Sequence, residues 1–124
     1  MLKINDVSVD LAGTHVLRNI NALFPSSYTI GVVGHNGAGK TTLLRTIMGL
    51  IKLKSGEISL DSELLSSKDA HERALLKIGY APENRVIFPT MTVEENLRLP
   101  CEVQNYSNSE INKKLEEVLE VIPQ

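Results

Sequence analysis

Nine consecutive residues in the first third of the chain have the types and spacing of a phosphate-binding loop. They run Gly34-His35-Asn36-Gly37-Ala38-Gly39-Lys40-Thr41-Thr42, and the first eight fit the pattern G-x-x-x-x-G-K-[ST]. Glycines at fixed positions let the backbone curl so that successive N–H groups point inward at phosphate oxygens. A helix predicted to begin near Lys40 would direct the positive end of its dipole at the same charge. The pattern therefore predicts a site for the phosphates of a purine nucleotide, with Mg-ATP the leading candidate.

The residues of this P-loop have separate predicted roles. Lys40 would reach the β- and γ-phosphates as a point charge, Thr41 would offer its hydroxyl to Mg²⁺, and Thr42 would reach the α-phosphate. His35 stands at a variable position without an acidic neighbour in sequence, so it is interpreted as a loop residue rather than a general base. The alternative is a glycine-rich turn into a helix with no ligand. The remaining predicted phosphate contacts are Gly34, Asn36, Gly37, Ala38 and Gly39.

Composition narrows the class of protein. The 124 residues suit one globular unit, and the balance of 13 Lys+Arg against 15 Asp+Glu lacks the basic excess that nucleic acid binding favours. A single cysteine, Cys101, cannot form an internal disulfide and is interpreted as a partly buried side chain rather than a reactive thiol. No apolar run approaches the roughly 20 residues that cross a bilayer, and the N-terminus lacks the charged and then apolar segments of a signal peptide. We expect a cytosolic chain that is not inserted into a membrane.

Alternating apolar and polar residues, together with short β-prone runs, predict five strands. Leu2, Ile4, Val7 and Val9 alternate, with a slip at Asn5-Asp6 that predicts a bulge. The other predicted strands lie around Ile20 to Phe24, from Tyr28 to Val33, at Ile58 and Leu60, and from Ile78 to Ala81, with turns at Ala12-Gly13-Thr14 and Pro25-Ser26-Ser27.

Helical spacing predicts four helices. The first follows the P-loop and ends at Gly49, and the second runs near Asp69 to Lys77 with Ser66 and Asp69 in capping-box positions. The third opens with the capping box Thr92–Glu95 and continues through Leu97. The fourth ends at Pro123, and its apolar face is interpreted as facing the core rather than a partner helix. The apolar residues are Leu43, Leu44, Ile47 and Met48 in the first helix, and Ile111, Leu115, Val118, Leu119 and Ile122 in the fourth.

Two separate motifs resemble the ATP-binding subunits of ABC transporters. The stretch G-H-N-G-A-G-K-T-T is similar to the family's N-G-A-G-K-T-T, and Tyr80 to Leu97, which ends in T-V-E-E-N-L, resembles the segment that contains the family's Q-loop. The P-E-x-R-x-x-F form at residues 82–88 is similar to the branched-chain amino acid importers. The resemblance covers essentially all 124 residues.

The resemblance implies an α/β fold of the P-loop NTPase type. It has a partial parallel sheet, an N-terminal antiparallel β subdomain and the start of a helical subdomain. Residues 1–27 and 57–62 correspond to the β subdomain, 28–56 and 68–92 to the P-loop core, and 93–124 to the helical start. The family also implies a second ATP-binding subunit as dimer partner, a membrane permease contacting the region from Glu83 to Thr92, and a position at the inner face of the cell membrane.

Two positions depart from the family's pattern. Glu83 stands where most members carry a glutamine that binds Mg²⁺, although the branched-chain group resembles this chain in having Glu. A carboxylate is also an oxygen ligand for Mg²⁺; the alternative is a solvated loop residue. Leu11 stands where the family usually stacks an aromatic ring on adenine, with Val16 beside it as a second apolar contact. A core role for Leu11 is equally open, so preference for ATP over GTP rests on the resemblance.

Three of the family's motifs are not found in these residues. They are the L-S-G-G-Q signature, the apolar strand ending in Asp-Glu and the switch histidine; His71 lies in a charged helix. The chain is therefore expected to correspond to the first half of an ABC ATP-binding domain with negligible ATPase activity alone.

Three functions remain open from the sequence. The first is the energising subunit, or part of one, of an importer for branched-chain amino acids. The second is a nucleotide-binding module of a soluble ABC ATPase or a non-catalytic truncated product. The third is a small P-loop phosphotransferase whose lid would use Arg85 and Arg98.

Overall fold

The computed structural model describes residues 1–84 and 86–122 and forms two compact units, Met1–Tyr80 and the segment from Ala81 onward. Arg85, a candidate lid residue, and Pro123, the predicted end of the last helix, lie outside the described residues. Within the described ranges, every helix is too short or too polar to cross a bilayer.

The first unit is built on a four-stranded antiparallel sheet. Strands β1 (Leu2–Leu11) and β2 (Thr14–Phe24) form a hairpin, and β3 (Ser55–Leu60) and β4 (Glu63–Leu64) complete the order β2-β1-β3-β4. The hairpin turns at Ala12 and Gly13, both with positive φ, as a two-residue loop of type I′ requires. The strands predicted near residues 2–9, 20–24 and 58–60 and both turns are confirmed.

The predicted bulge in β1 is also confirmed. Ile4 pairs with Ala22 and Val7 with Ile20, so the register shifts between them, and Asp6 has a φ of 48°. The Asn21 carboxamide nitrogen donates to the Asp6 carboxylate at 2.7 Å, while its oxygen accepts from the Asp6 N–H at 2.9 Å. Because the bulge absorbs one residue, Ile4, Val7 and Val9 all point into the core despite their uneven spacing.

The core joins one face of the sheet to the helix that follows the P-loop. Helix α1 (Lys40–Ile47) contributes Leu43 and Ile47, one helical turn apart, whereas Leu44, also among the apolar residues at helical spacing, is exposed. Leu44 lies about 100° around the helix from Leu43, beyond the width of the contact with the sheet. The buried cluster consists of Ile4, Val7, Val9, Leu17, Leu43, Ile47, Ile58 and Leu65.

Two of the five predicted strands are not formed. Residues 28–33 and 78–81 belong to no hydrogen-bonded ladder, so the described residues contain only antiparallel pairs and the parallel part of the predicted sheet is absent from them. A strand exists only through hydrogen bonds to a neighbouring strand, and neither segment has such a neighbour among the described residues. The apolar side chains of the first segment are consequently exposed, with Val33 at 93%.

The second predicted helix is shorter than expected, and the predicted capping box of Ser66 and Asp69 is wrong. A 3-10 turn at Leu65–Ser67 precedes α2 (Ala70–Leu75), whose capping box is formed by Asp69 and Glu72. The Ser66 hydroxyl instead accepts from the Ile58 N–H of β3 at 2.8 Å. Ser66 therefore attaches the turn to the sheet, a long-range contact that local spacing does not reveal.

The second unit contains a pair of helices, α3 (Val93–Val103) and α4 (Asn108–Val121). The predicted Thr92–Glu95 capping box is confirmed, but α3 extends past Leu97 and includes Pro100. The fixed φ of proline is compatible with a helix, although the missing N–H costs one hydrogen bond. In α4 Ile111 is buried and Leu115 half-buried. Further along, Val118, Leu119 and Ile122 are exposed, so the core-facing interpretation is correct only for the first turns.

Candidate nucleotide-binding site

The P-loop wraps the start of α1. Gly37 and Gly39 have φ values of 84° and 96°, and Gly39 occupies the N-cap position without a side chain that could cap the helix. The first intrahelical hydrogen bond runs from the Leu43 N–H to the Gly39 carbonyl at 2.8 Å. The N–H groups of Lys40, Thr41 and Thr42 thus have no intrahelical acceptor, and they are available to an anion.

Lys40 folds back over the loop. Its ammonium donates to the carbonyl of Gly34 at 2.6 Å and to that of His35 at 2.8 Å. The Ala38 N–H donates to the same His35 carbonyl at 3.1 Å, which closes the turn beneath the ammonium. The backbone of the loop therefore holds the Lys40 ammonium in place. The same loop would bind the phosphates, so the ammonium lies where it could form charge-assisted hydrogen bonds with them.

The last of the three register shifts in the β1–β2 pairing is a bulge beside the loop. Val9 pairs with Leu17 and Asp10 with His15, so Val16 is the extra residue of β2. A Cβ built on Gly39 would lie 2.9 Å from Leu17 Cδ2 and 3.5 Å from Val16 Cγ1. Glycine suits this position because its φ is 96° and because it has no Cβ to displace Leu17, and the bulge places Val16 and Leu17 side by side at the base of the P-loop.

The two residues predicted to contact the base are placed differently. Val16 adjoins Gly39 and is half-buried, which is consistent with an apolar contact next to the phosphates. Leu11 ends β1 opposite Thr14 at the hairpin turn and is 38% exposed. Leu11 is therefore not a core residue, so that alternative is wrong. The predicted contact of Leu11 with a base remains a prediction.

The predicted Mg²⁺ ligands come from different parts of the chain. Thr41 is exposed in the first turn of α1, next to the uncapped N–H groups, whereas Glu83 is exposed in the second compact unit. No group of three or more His, Cys, Asp or Glu side chains in residues 1–84 and 86–122 is arranged to hold a metal. Mg²⁺ commonly binds through one or two protein ligands together with substrate phosphates and water, so a hydroxyl at Thr41 fits such a site. The role of Glu83 remains a prediction.

Asn96, in the T-V-E-E-N-L segment, forms hydrogen bonds with the loop that precedes α3. Its carboxamide oxygen accepts from the Phe88 N–H at 2.8 Å, and its nitrogen donates to the carbonyls of Phe88 at 3.1 Å and Thr92 at 2.9 Å. Asn96 thereby fixes the loop of residues 88–92 onto the first turn of α3. This loop is part of the region predicted to contact a permease, and Val86, Ile87 and Phe88 within that region are exposed.

Two polar clusters were not identified from the sequence. Asp10 accepts hydrogen bonds from Lys54 at 2.5 Å and from His15, and the Lys54 contact holds the pKa of the Asp10 carboxyl below its usual range. The second cluster surrounds Arg73, which is 4% exposed and binds carbonyls at the end of α1. The acceptors lie 26 and 27 residues before Arg73, so no short-range pattern marks it.

Comparison with known proteins agrees with this geometry. The family model described as ABC transporter matches residues 17–124. The chain is 31% identical to the "Probable branched-chain amino acid transport ATP-binding protein LivF" of Archaeoglobus fulgidus, over 100% of this chain and 52% of the relative. It is 35% identical to the methionine import ATP-binding protein MetN of Clostridioides difficile, over 98% of this chain and 39% of the relative.

Solved structures show the same relationship. The ATP-binding subunit of an ABC transporter superposes with a TM-score of 0.84 at 28% identity, over 96% of this chain and 49% of that one. A dimeric bacterial ABC transporter cassette superposes with a TM-score of 0.82 at 25% identity, over 97% of this chain and 56% of that one.

A helix that follows a glycine-rich loop and packs on an antiparallel sheet is thus part of the fold that this chain shares with ABC transporter ATP-binding subunits. The chain belongs to the ABC transporter family, and it spans about half the length of the relatives that it matches. The predicted fold class is thus confirmed by its structural neighbours, although no parallel strands are paired within residues 1–84 and 86–122.

Proposed function

We propose that this chain binds Mg-ATP at its P-loop and is the ATP-binding part of an ABC transporter subunit. The supporting observation is the start of α1, where Lys40, Thr41 and Thr42 present N–H groups without a side-chain cap beside the Lys40 ammonium. A triphosphate would satisfy these donors and accept from the ammonium. One superposed relative, a cassette bound to ADP and inorganic phosphate, has a TM-score of 0.81.

Each residue of the site has a proposed task. The backbone from Gly34 to Gly39 surrounds the β-phosphate, Lys40 binds the β- and γ-phosphates, and Thr41 holds Mg²⁺ while Thr42 reaches the α-phosphate. Mg²⁺ supplies charge neutralisation when it is bound with the nucleotide. Glu83 is proposed as a further Mg²⁺ ligand, and Val16 with Leu11 as the apolar contact of the base.

Calorimetric titration of the full chain with Mg-ATP tests this proposal. We expect Lys40→Ala to weaken binding about ten- to hundredfold, because a hydrogen bond to a charged group contributes about 1.5–3 kcal/mol. Lys52→Ala is the matched control, since Lys52 is an exposed lysine that follows α1 in the same unit. No affinity in the wild type, or equal affinity in both variants, would contradict the proposal.

The substrate and the partners form the finer part of the proposal. We propose that the subunit to which this chain contributes its ATP-binding part energises import of branched-chain amino acids, at the inner face of the cell membrane, through a permease that contacts residues 83–92. The P-E-x-R-x-x-F form and the name of the archaeal relative support this assignment. The names of other relatives specify methionine and spermidine/putrescine, so the assignment needs its own test.

Affinity purification from membranes provides this test. A tagged chain is expected to retain a permease, and Asn96→Ala is expected to reduce the yield because the 88–92 loop loses its hydrogen bonds. Uptake of labelled leucine, methionine or spermidine in cells without the gene then identifies the substrate. Recovery of ribosomes or DNA instead would favour a soluble ABC ATPase.

A further inference from the structure

Arg73 is a buried cation that the proposed nucleotide chemistry does not use. Its side chain comes from α2, and the Nη1 group donates to the carbonyls of Thr46 and Ile47, each at 2.8 Å. The Nε group donates to the Lys68 carbonyl at 2.9 Å. Among the described residues no carboxylate forms an ion pair with Arg73 within 4.0 Å. The guanidinium is therefore committed to backbone carbonyls.

These carbonyls lie at the C-terminal end of the P-loop helix. Helix α1 ends at Ile47, and Gly49 follows with a φ of 75°, donating to the Thr46 carbonyl at 3.0 Å. The Leu50 N–H donates to the Arg45 carbonyl at 2.9 Å, which completes a Schellman motif. This motif leaves the Ile47 carbonyl to Arg73. Burial lowers the pKa of the guanidinium, which stays protonated and faces the negative end of the helix dipole.

The backbone at Gly49 is fitted to this arrangement. A Cβ built on Gly49 would lie 2.9 Å from Arg73 Nε and 3.0 Å from Arg73 Cζ. The guanidinium thus fills the space next to the helix end and links it to the Lys68 carbonyl, just before α2. The contact joins two elements that are separated in sequence by β3 and β4.

The short length of α1 makes this contact relevant to the other end of the helix. Eight residues span about 12 Å, so a tilt or slide at Ile47 is transmitted to Lys40. Leu43 and Ile47 hold the helix to the core, but apolar contacts are not directional and permit small shifts. The charge-assisted hydrogen bonds of Arg73 are directional and fix the helix end.

We propose that Arg73 is a positioning residue for the phosphate site, which clamps the C-terminal end of α1 so that the N–H groups at its start converge on the nucleotide. This inference rests on the proposed nucleotide binding. Binding sites need their groups held within about 0.5 Å, so the loss of the clamp weakens affinity although Arg73 does not touch the ligand. Because coupling is reciprocal, bound nucleotide in turn stabilises the segment that carries Arg73.

The test compares two arginines at the same end of α1. In the full chain, Arg73→Gln removes the clamp, and Arg45→Gln removes an exposed charge from the last helical turn. We expect Arg73→Gln to raise the Kd for Mg-ATP at least tenfold, about 1.4 kcal/mol, and Arg45→Gln to change it less than twofold. Arg73→Lys keeps the charge and should bind more tightly than Arg73→Gln. Equal Kd values for the wild type and a folded Arg73→Gln variant overturn the proposal.

Hydrogen exchange separates positioning from simple stabilisation. In the wild type, Mg-ATP should slow amide exchange both at residues 40–43 and at residues 68–76. In Arg73→Gln the effect at 68–76 should disappear, whereas a merely structural residue would lower basal protection and leave the nucleotide effect. If Arg73→Gln does not fold, the wild-type experiment decides, and an absence of slowing at 68–76 overturns the clamp. A wild type that binds no nucleotide instead overturns the proposed function, and the clamp with it.

Discussion

Thr41 illustrates how one side chain can be tested apart from the loop around it. It is exposed in the first turn of α1, and its backbone N–H and its hydroxyl would serve different ligands, the phosphates and Mg²⁺. Substitutions that change only the hydroxyl therefore separate the metal contact from the phosphate contact.

We expect Thr41→Val to weaken Mg-ATP binding about tenfold, about 1.4 kcal/mol, because valine keeps the shape and the N–H but lacks the oxygen ligand. Thr41→Ser keeps the hydroxyl and should bind like the wild type. Calorimetry with Mg²⁺ and with a chelator measures the difference. A similar loss in the presence of chelator would show that Thr41 does not act through the metal.

Gly49 tests a backbone conformation and a contact together. Both Gly49 and Gly13 have positive φ, 75° and 80°, but only at Gly49 would a Cβ meet Arg73; at Gly13 nothing lies within 4 Å. Gly13→Ala should cost about 1–2 kcal/mol from backbone strain alone. Gly49→Ala should cost about 1.5–3 kcal/mol more, since it displaces hydrogen bonds of a charged group. Urea denaturation measures both, and equal losses would show that the Arg73 contact contributes little.

At the scale of elements, the helices of the second unit begin with reciprocal caps. Thr92 accepts from the Glu95 N–H at 3.2 Å while Glu95 accepts from the Thr92 N–H at 2.6 Å, and Ser107 and Glu110 repeat the arrangement. The hydrogen bond from the Thr92 backbone lowers the pKa of Glu95, and the Ser107 hydroxyl lowers that of Glu110.

The lowered pKa of Glu95 predicts a pH dependence of stability. A carboxyl whose folded pKa is depressed stabilises the fold above its ordinary pKa of 4.5, and this contribution is lost as the pH falls through the lower folded value. We expect Glu95→Ala to melt at a lower temperature than the wild type at pH 7, and the difference to shrink below about pH 4. Glu116→Ala, which removes an exposed carboxylate from α4, is the matched control for the loss of a negative charge. A constant difference across this range would contradict the prediction.

For the whole molecule, two predictions concern what the chain does alone. The sequence has no motif that resembles the signature, the Asp-Glu strand or the switch histidine of ABC ATPases. A positioned general base contributes roughly 10²–10⁴-fold to a rate, and electrostatic groups contribute comparable factors. We therefore expect binding of ATP without appreciable hydrolysis; a phosphate-release assay showing turnover near about 1 s⁻¹, a typical enzyme value, would contradict this.

The exposed apolar segment 28–33 predicts self-association of the chain. Its residues form no ladder, and Tyr28 and Val33 are largely exposed, so their backbone groups and side chains are available to a second copy. Ile30→Asp should shift the chain towards monomer in sedimentation velocity. Leu23→Asp, at an exposed site on β2, is the control. A monodisperse, cooperatively melting wild-type monomer would rule out association through this segment.

The amino-acid sequence by itself determined the local features. The P-loop sequence, the start and end of α1, the first strand with its bulge at Asn5-Asp6, the turn that follows it and the Thr92–Glu95 cap all depend on residues close together in the chain, and the sequence predicts each of them. The position of Val16 beside Gly39 was not predictable in the same way, because it depends on a bulge in the pairing of two strands.

Tertiary structure decided the features whose partners are distant in sequence. Residues 28–33 and 78–81 have strand-like patterns, but a strand forms only where a neighbour supplies hydrogen bonds. Ser66 was assigned to a helix cap and bonds to Ile58 of β3 instead, and Arg73 is held by carbonyls more than 25 residues away. Local pattern specifies which backbone conformation each segment favours, whereas burial and distant hydrogen bonds determine which of those preferences the folded chain realises.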